Sequence, residues 1–320
     1  MPPSNAGGRA ASQCVTNRVC EPTPLGGWLD SIQAAVGGGV LDAPAVKVCD
    51  MLPVCGENET GSKGASRTPP PTTGGTMKQS IFTILSNKAL TDSVFKMVLS
   101  GDTSAITAPG QFVNIQLSGL FLRRPISVCD YDGETLTIIY KVVGKGTEAM
   151  STMAPGESLD ILTGLGNGYD LSITGEHPVL LGGGVGVPPM YNLAKKLLEQ
   201  GKQVSVILGF NTKSEIFYEE EFKALGCDVT VTTVDGSYGK KGFVTDALPE
   251  SYTHFCCCGP EPMLKAVYRA TKTSGQMSFE ERMGCGFGAC MGCSCKTLTG
   301  NKRICKDGPV MKKEEILWEA

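Results

Sequence analysis

The stretch His177–Phe210, "HPVLLGGGVGVPPMYNLAKKLLEQGKQVSVILGF", decides how this chain is organised. An apolar run leads through a glycine turn into an amphipathic segment and then into a second apolar run. In the amphipathic part Met190, Leu193, Ala194, Leu197 and Leu198 recur at the i, i+3, i+4, i+7, i+8 spacing of a helix face that packs on a sheet. Strand, tight turn, helix and strand make a βαβ unit, so a parallel sheet is expected from about Gly175 onward. "DVTVTTVDGSYGKKGFVTDAL" and "THFCCCGPEPMLKAVYRATKT" repeat the strand-then-helix order and extend it. The turn "GGGVGVPP", Gly182 to Pro189, is not the G-x-G-x-x-G fingerprint. It does lie at the carboxyl end of a strand and before a helix, where backbone amides and the helix dipole can receive a phosphate. Residues 175–272 are therefore expected to form an α/β nucleotide-binding domain.

Upstream the rhythm differs. From Met77 to about Thr174, β-branched runs such as "FVNIQL", "ISVCDY" and "LTIIYKVV" are separated by Gly, Pro and Asp turns, the pattern of an antiparallel barrel or sandwich over 77–174. Residues 1–76 contain "GENETGSKGASRTPPPTTGGT", which has little to bury and reads as linker or disordered extension, with Met77 a candidate natural start. The extension carries Cys14, Cys20, Cys49 and Cys55 in two C-x5-C pairs, looser than ordinary zinc pairs and expected to be incidental. At 320 residues the chain has room for two domains and a small appendage. A net charge of -3 offers no basic field to a phosphate backbone, so nucleic acid is not an expected partner. No run approaches the roughly 18 apolar residues of a membrane helix, and the first residues lack a signal-peptide pattern. A cytoplasmic protein is expected, in which clustered cysteines serve as metal ligands or redox groups rather than disulfides.

Such a cluster lies near the end. Glu281–Cys305, "ERMGCGFGACMGCSCKTLTGNKRIC", holds five of the 14 cysteines. Cys285, Cys290, Cys293 and Cys305 are spaced C-x4-C-x2-C-x11-C, and the first three match the plant-type [2Fe-2S] pattern. Zinc sites normally come as two C-x2-C knuckles instead. Gly284, Gly286, Gly288 and Gly292 allow the backbone to wrap tightly around such a group. Cys295 is read as a packing residue, because the spacing is complete without it. The stretch 273–320 is expected to be a small [2Fe-2S] module.

Two further places draw notice. "FLRRPISVCD" brings Arg123, Arg124 and Ser127 together on a barrel strand, and "YKVVGKGTEAMSTM" puts Gly144, Lys145, Gly146 and Thr147 at a helix start. An arginine beside a hydroxyl can pair with a pyrophosphate and touch an isoalloxazine ring, and the GKGT turn offers amides to a phosphate. In "CCCGP", adjacent strand residues face opposite ways, so Cys256, Cys257 and Cys258 cannot chelate one metal together. Cys256 and Cys257 are expected to be small buried side chains, and Cys258, last on its strand, to be able to face a ligand.

A β-barrel with R-P-x-S and G-x-G-T, followed by an α/β domain with a glycine turn and a C-G-P strand end, resembles the ferredoxin-NADP reductase superfamily. With "ERMGCGFGACMGCSC" and "CKDGPV" appended, the chain from Met77 to its end is similar to the electron-transfer subunits of NAD-dependent dihydroorotate dehydrogenases. The resemblance implies FAD on Arg124, Pro125, Ile126 and Ser127, on Tyr140, Lys141 and Val142, and on Gly146 and Thr147. Many superfamily members carry an aromatic residue where Ile126 stands. The resemblance also implies a nicotinamide nucleotide across Gly183, Gly184, Gly186 and Pro188, with Cys258, Gly259 and Pro260 near its reactive end. Ser127 and Cys258 become the candidate catalytic residues, and Cys285, Cys290, Cys293 and Cys305 the cluster ligands.

Electrons would then pass from the FMN of a separate catalytic subunit through [2Fe-2S] and FAD to NAD+, in pyrimidine (UMP) biosynthesis. A heterotetramer with two of each subunit is implied, with no dihydroorotate site in this chain. The segment "NTKSEIFYEEEF" offers Lys213 but no arginine, which favours NAD over NADP. Two alternatives share most motifs: a flavin and iron-sulfur subunit of a ferredoxin-linked NADH oxidoreductase or a hydrogenase, and a redox sensor without turnover.

Overall fold

The computed structural model describes residues 76–318. The expected linker and its two cysteine pairs lie outside the described residues. Six strands come first: β1 (Lys78–Ala89), β2 (Val94–Ser100), β3 (Phe112–Gln116), β4 (Arg124–Tyr131), β5 (Thr135–Lys141) and β6 (Ser158–Leu165). They close into an antiparallel barrel in the order β1-β2-β5-β4-β3-β6. Alternation decides the inside. Leu136, Ile138 and Tyr140 of β5 meet Phe82, Met97, Val113, Ile115 and Ile161 in one core, at about 1.5–3 kcal/mol for each large apolar side chain fully buried.

The second sheet begins with β7 (Pro178–Gly183), β8 (Ser205–Phe210), β9 (Asp228–Thr233), β10 (Lys240–Lys241), β11 (His254–Cys258) and β12 (Gly275–Ser278). A hairpin of β13 (Ser294–Thr297) and β14 (Gly300–Arg303) follows, then β15 (Val310–Lys312). The seven-stranded sheet runs β10-β9-β8-β7-β11-β12-β15, with only β15 antiparallel to its neighbour. The chain moves outward from β7 in one direction and then returns to place β11 on its other side. The carboxyl ends of β7 and β11 therefore flank the point where the strand order reverses.

Two expectations need correction. The boundary expected at 272/273 falls before two strands of the same sheet, since β12 and β15 extend it, and the cysteine loop is an excursion between them. All four residues of β12 are buried, but a strand this short shows no periodicity to read. The helix expected after β9 is one 3-10 turn, Val244–Ala247. Gly236, Gly239 and Gly242 all have positive φ, so the segment turns instead of coiling. Among the described residues, no helix is long and apolar enough to cross a membrane.

Barrel and sheet meet along β4. A register shift between Val128 and Asp130 leaves Cys129 unpaired, as at a β-bulge, and re-aims it outward. There Cys129 joins Met190, Leu193, Leu197 and Tyr218 in the core of the second domain. Beside it the Asp130 carboxylate accepts from Asn192 Nδ2 at 2.8 Å and Lys195 Nζ at 3.0 Å, both on the helix Val187–Glu199. Asn192 is fully buried and its Oδ1 has no partner among the described residues. Replacing Asp130 by Ala would also leave Nδ2 unpaired, at about 1–3 kcal/mol. Lys195 is partly exposed, so Lys195→Ala should cost only about 0–1 kcal/mol. Urea denaturation of both variants checks this order, and equal midpoints would contradict it.

Candidate functional site

The cysteine loop leaves β12 and comes back at β15. Cys285 and Cys290 lie on its outer part, while Cys293 and Cys305 are buried. Cys285 Sγ accepts from the amides of Ala289 at 3.2 Å and Cys290 at 3.4 Å, and Cys293 Sγ accepts from the Cys305 amide at 3.4 Å. Gly286 and Gly288 sit at φ 81° and 91°, the left-handed region that lets those amides turn toward sulfur. Among the described residues, no three His, Cys, Asp or Glu side chains converge on a single-ion position. The four cysteines fall instead as two neighbouring pairs, Cys285 with Cys290 and Cys293 with Cys305, the second of each pair donating its amide to the sulfur of the first. Two thiols for each of two irons is the donor set of a [2Fe-2S] cluster, so the residues present fit that group.

The pairs differ electrostatically. Burial opposes ionisation at Cys285, but the amides of Cys290, Phe287 and Ala289 and the Cys290 thiol outweigh it and bring Cys285 down to about 6. At Cys305 burial and the neighbouring Cys293 push the thiol up to about 12. Cys295 is half-buried on β13 and packs beside these residues without joining either pair.

The loop rests on the barrel. Phe112, Leu162 and Leu165 share a core with Cys293, Ile304, Cys305 and Met311, and Asn114 Nδ2 donates to the Cys285 carbonyl at 3.1 Å. Phe112 and Asn114 pair across the ladder with Ser127 and Pro125 of β4. The candidate flavin strand is thus one strand away from the cysteine loop. The two adjacent arginines separate: Arg123 Nη1 donates to Asp160 Oδ1 at 3.0 Å and to the Asp160 and Asn114 carbonyls. Arg124 has no carboxylate partner among the described residues and lies against Gly146, where a Cβ would strike its guanidinium. Thr147 Oγ1 accepts from the Val143 amide at 2.9 Å and donates to the Gly144 carbonyl at 3.2 Å, fixing the turn that opens the helix Lys145–Ser151. Ile126 packs partly onto the barrel core. Tyr140 turns inward, donates to Asn87 Oδ1 at 3.0 Å and stacks on Phe95. Of the group Tyr140, Lys141 and Val142, Tyr140 therefore offers only its backbone, and Val142 spends its amide on the Ser93 carbonyl.

The glycine turn and the C-G-P strand end come together at the reversal between β7 and β11. A Cβ at Gly186 would collide with the Cys258 carbonyl, and one at Gly183 or Gly259 would strike Met263. Gly184 alone among these four, at φ 52°, has open space beside it. Pro188 is buried in the first turn of its helix, and Pro260 caps the helix Glu261–Ala270. Burial pushes the Cys258 thiol up to about 12 against a hydrogen bond from Ser278. It stays protonated at neutral pH and is no nucleophile. Cys256 and Cys257 are buried in the cores on opposite faces of the sheet. Met263 and Asn114 escaped the sequence analysis, because a lone Met on a helix and a lone Asn on a strand carry no spacing signal.

Beyond β8 the Asn211 amide and side chain both donate to Glu215 Oε2, at 3.0 and 2.9 Å. The Ser237 hydroxyl and amide hold Asp235, beyond β9, below the ordinary carboxylate range. Lys213 Nζ lies over the Tyr238 ring, 5.8 Å from its centroid.

Comparison with known proteins agrees with this geometry. Residues 280–317 match the iron-sulfur cluster binding domain of dihydroorotate dehydrogenase B, and residues 180–269 match the oxidoreductase NAD-binding domain. The chain is 45% identical over 255 residues to the electron transfer subunit of dihydroorotate dehydrogenase B (NAD(+)) from Bacillus pumilus, covering 75% of this chain and 98% of that one. It is 44% identical over 257 residues to the same subunit from Fusobacterium nucleatum, covering 75% and 99%. Among solved structures it is similar to an NADH-dependent reduced ferredoxin-NADP oxidoreductase studied for flavin-based electron bifurcation, with a TM-score of 0.67 and 31% identity over 74% of this chain and 90% of that one. The chain belongs to the family of electron transfer subunits of dihydroorotate dehydrogenase B (NAD(+)).

Proposed function

We propose that this chain carries electrons between NAD and the FMN of a catalytic dihydroorotate dehydrogenase subunit, holding FAD on the barrel and a [2Fe-2S] cluster in the cysteine loop. The observation that carries the reading is the shared seam: Phe112 and Asn114 touch the cysteine loop and pair with Ser127 and Pro125. When bound, FAD exchanges a hydride on the nucleotide side and single electrons on the cluster side, which neither NAD nor the cluster does alone.

The chain's own residues have distinct tasks. Arg124, lying on Gly146 and without a carboxylate partner among the described residues, is the candidate to pair with a pyrophosphate. The Ser127 hydroxyl is the candidate hydrogen-bond partner of the flavin's reactive nitrogen. Gly184 leaves space beside the turn for the nucleotide, and Gly186 brings that turn against the Cys258 backbone. Cys285, Cys290, Cys293 and Cys305 supply four thiolates and shed their protons as iron binds. Two chains with two catalytic subunits make the proposed assembly, which the mass of the co-expressed complex tests.

Three outcomes check these roles. Anaerobically purified protein should contain one [2Fe-2S] cluster and one FAD per chain, and Cys290→Ser should lose the iron and keep the flavin. Zinc in place of iron in the parent, or an intact cluster in the variant, would overturn the ligand assignment.

Ser127→Ala should slow NADH-driven flavin reduction by about tenfold, the worth of one hydrogen bond, with cluster absorbance unchanged. Stopped-flow absorbance resolves the two signals, and a parent rate would remove Ser127 from the reaction.

Glu215 and Asp235 stand at the strand ends where a ribose 2'-phosphate would lie, and two carboxylates there repel it. NADH should exceed NADPH in kcat/KM by about tenfold or more, the factor that a single unfavourable contact of ~1.4 kcal/mol produces. Steady-state rates with both nucleotides decide the matter.

A further inference from the structure

Asn114 is nearly inaccessible, at 1% exposure, yet it stands on the outer face of a barrel strand whose neighbours Val113 and Ile115 point into the core. Its Nδ2 donates to the Cys285 carbonyl at 3.1 Å, a contact between residues 171 positions apart. That carbonyl can only accept, which fixes the orientation of the amide and leaves Asn114 Oδ1 buried without a partner among the described residues. An unsatisfied buried acceptor costs about 1–3 kcal/mol, which an apolar side chain of the same shape would avoid. What the side chain supplies at this seam is its donor. Gly286 makes the same point from the loop side of the seam: its φ is 81°, and a Cβ on it would collide with Asn114 Nδ2.

We propose that Asn114 is the positioning residue that registers the first cluster ligand on the flavin-bearing barrel. Its amide holds the Cys285 carbonyl, which orients the Cys285 side chain and the following amides that donate to its sulfur. Asn114 also pairs with Pro125 across the ladder, so a displacement of β4 would reach the backbone of Cys285 through this hydrogen bond, beside the apolar contact of Phe112 with Cys293 and Cys305. This inference rests on the four cysteines carrying the cluster.

The test uses the full chain loaded with FAD and cluster, comparing parent, Asn114→Leu, Asn114→Asp and Gly286→Ala. Leu removes the donor at similar size, Asp replaces it by an acceptor, and the Gly286 variant displaces an intact amide. All three should keep FAD while losing iron to a chelator roughly 10- to 100-fold faster than the parent, the usual effect of removing an outer partner of a metal ligand. They should also alter the electron paramagnetic resonance spectrum of the reduced cluster. Parent-like chelator resistance and spectrum in both Asn114 variants would overturn the proposal, reducing the contact to packing. Loss of FAD together with iron would also overturn it, by showing that Asn114 supports the barrel as a whole. Failure of the ligand assignment is separate: it appears as iron retained in Cys290→Ser, whatever the Asn114 variants do.

Discussion

The placement of the four candidate cluster ligands depends on how the cysteine loop is closed at its base. β12 leaves the sheet at Ser278, and β15 re-enters beside it in antiparallel register, Met277 opposite Met311. The Phe279 amide donates to the Pro309 carbonyl at 2.9 Å just outside that ladder. Asn167, in the link between barrel and sheet, adds three bonds: its amide to the Gly308 carbonyl at 2.7 Å, its Nδ2 to the Asp307 carbonyl at 3.1 Å, and its Oδ1 from the Val310 amide at 3.2 Å. The Gln276 side chain closes a second pair of bonds with the backbone of Asp170. Closing a loop costs entropy that grows only slowly with its length. Once both ends are anchored, a long cysteine-bearing excursion is therefore little harder to hold than a short one.

With its base fixed, the loop lies on β3 and β6. The strand alternation of β3 sends Val113 and Ile115 into the barrel and leaves Phe112 outside to meet Cys293 and Cys305. The result is a gradient across the four thiols. Cys293 and Cys305 lie in an apolar core, Cys285 is half-buried under backbone amides, and Cys290 is exposed. A group held by all four would have one side against the barrel and one side toward solvent. A relay between an internal flavin and an external partner requires that asymmetry, and the apolar Phe287 and Met291 stand exposed on the same outer part of the loop.

Much of this was legible in the residues, for identifiable reasons. The helix Val187–Glu199 announces itself because five apolar residues hold one face over several turns. The cysteine spacing is legible because metal geometry constrains sequence directly. What escaped reading depends on tertiary pairing. β12 and β15 are too short to show alternation, so their membership of the parallel sheet comes from neighbours and not from pattern. The bulge at Cys129 follows from a register shift that only the barrel's closure decides. Arg123 and Arg124 are identical in sequence terms and differ only because Asp160, on β6, lies within reach of one of them.

The glycine turn shows the same limit in sharper form. Gly182, Gly183, Gly184 and Gly186 look equivalent as a run, and a phosphate cradle would explain all of them. The structure divides them by what a Cβ would meet. At Gly182 it is the backbone of Val187, at Gly183 the thioether of Met263, and at Gly186 the carbonyl of Cys258. Those three are small because the protein packs against itself there: Gly182 lets the turn close on the start of its own helix, and Gly183 and Gly186 draw it onto the end of β11. Only Gly184 combines a left-handed φ with open space. Any larger residue at Gly184 would be resisted by backbone strain and not by crowding, whereas at the other three crowding acts first. Gly183 and Gly186 let the two strand ends come together, Gly182 lets the turn close on its own helix, and Gly184 alone of the four is free of such contacts.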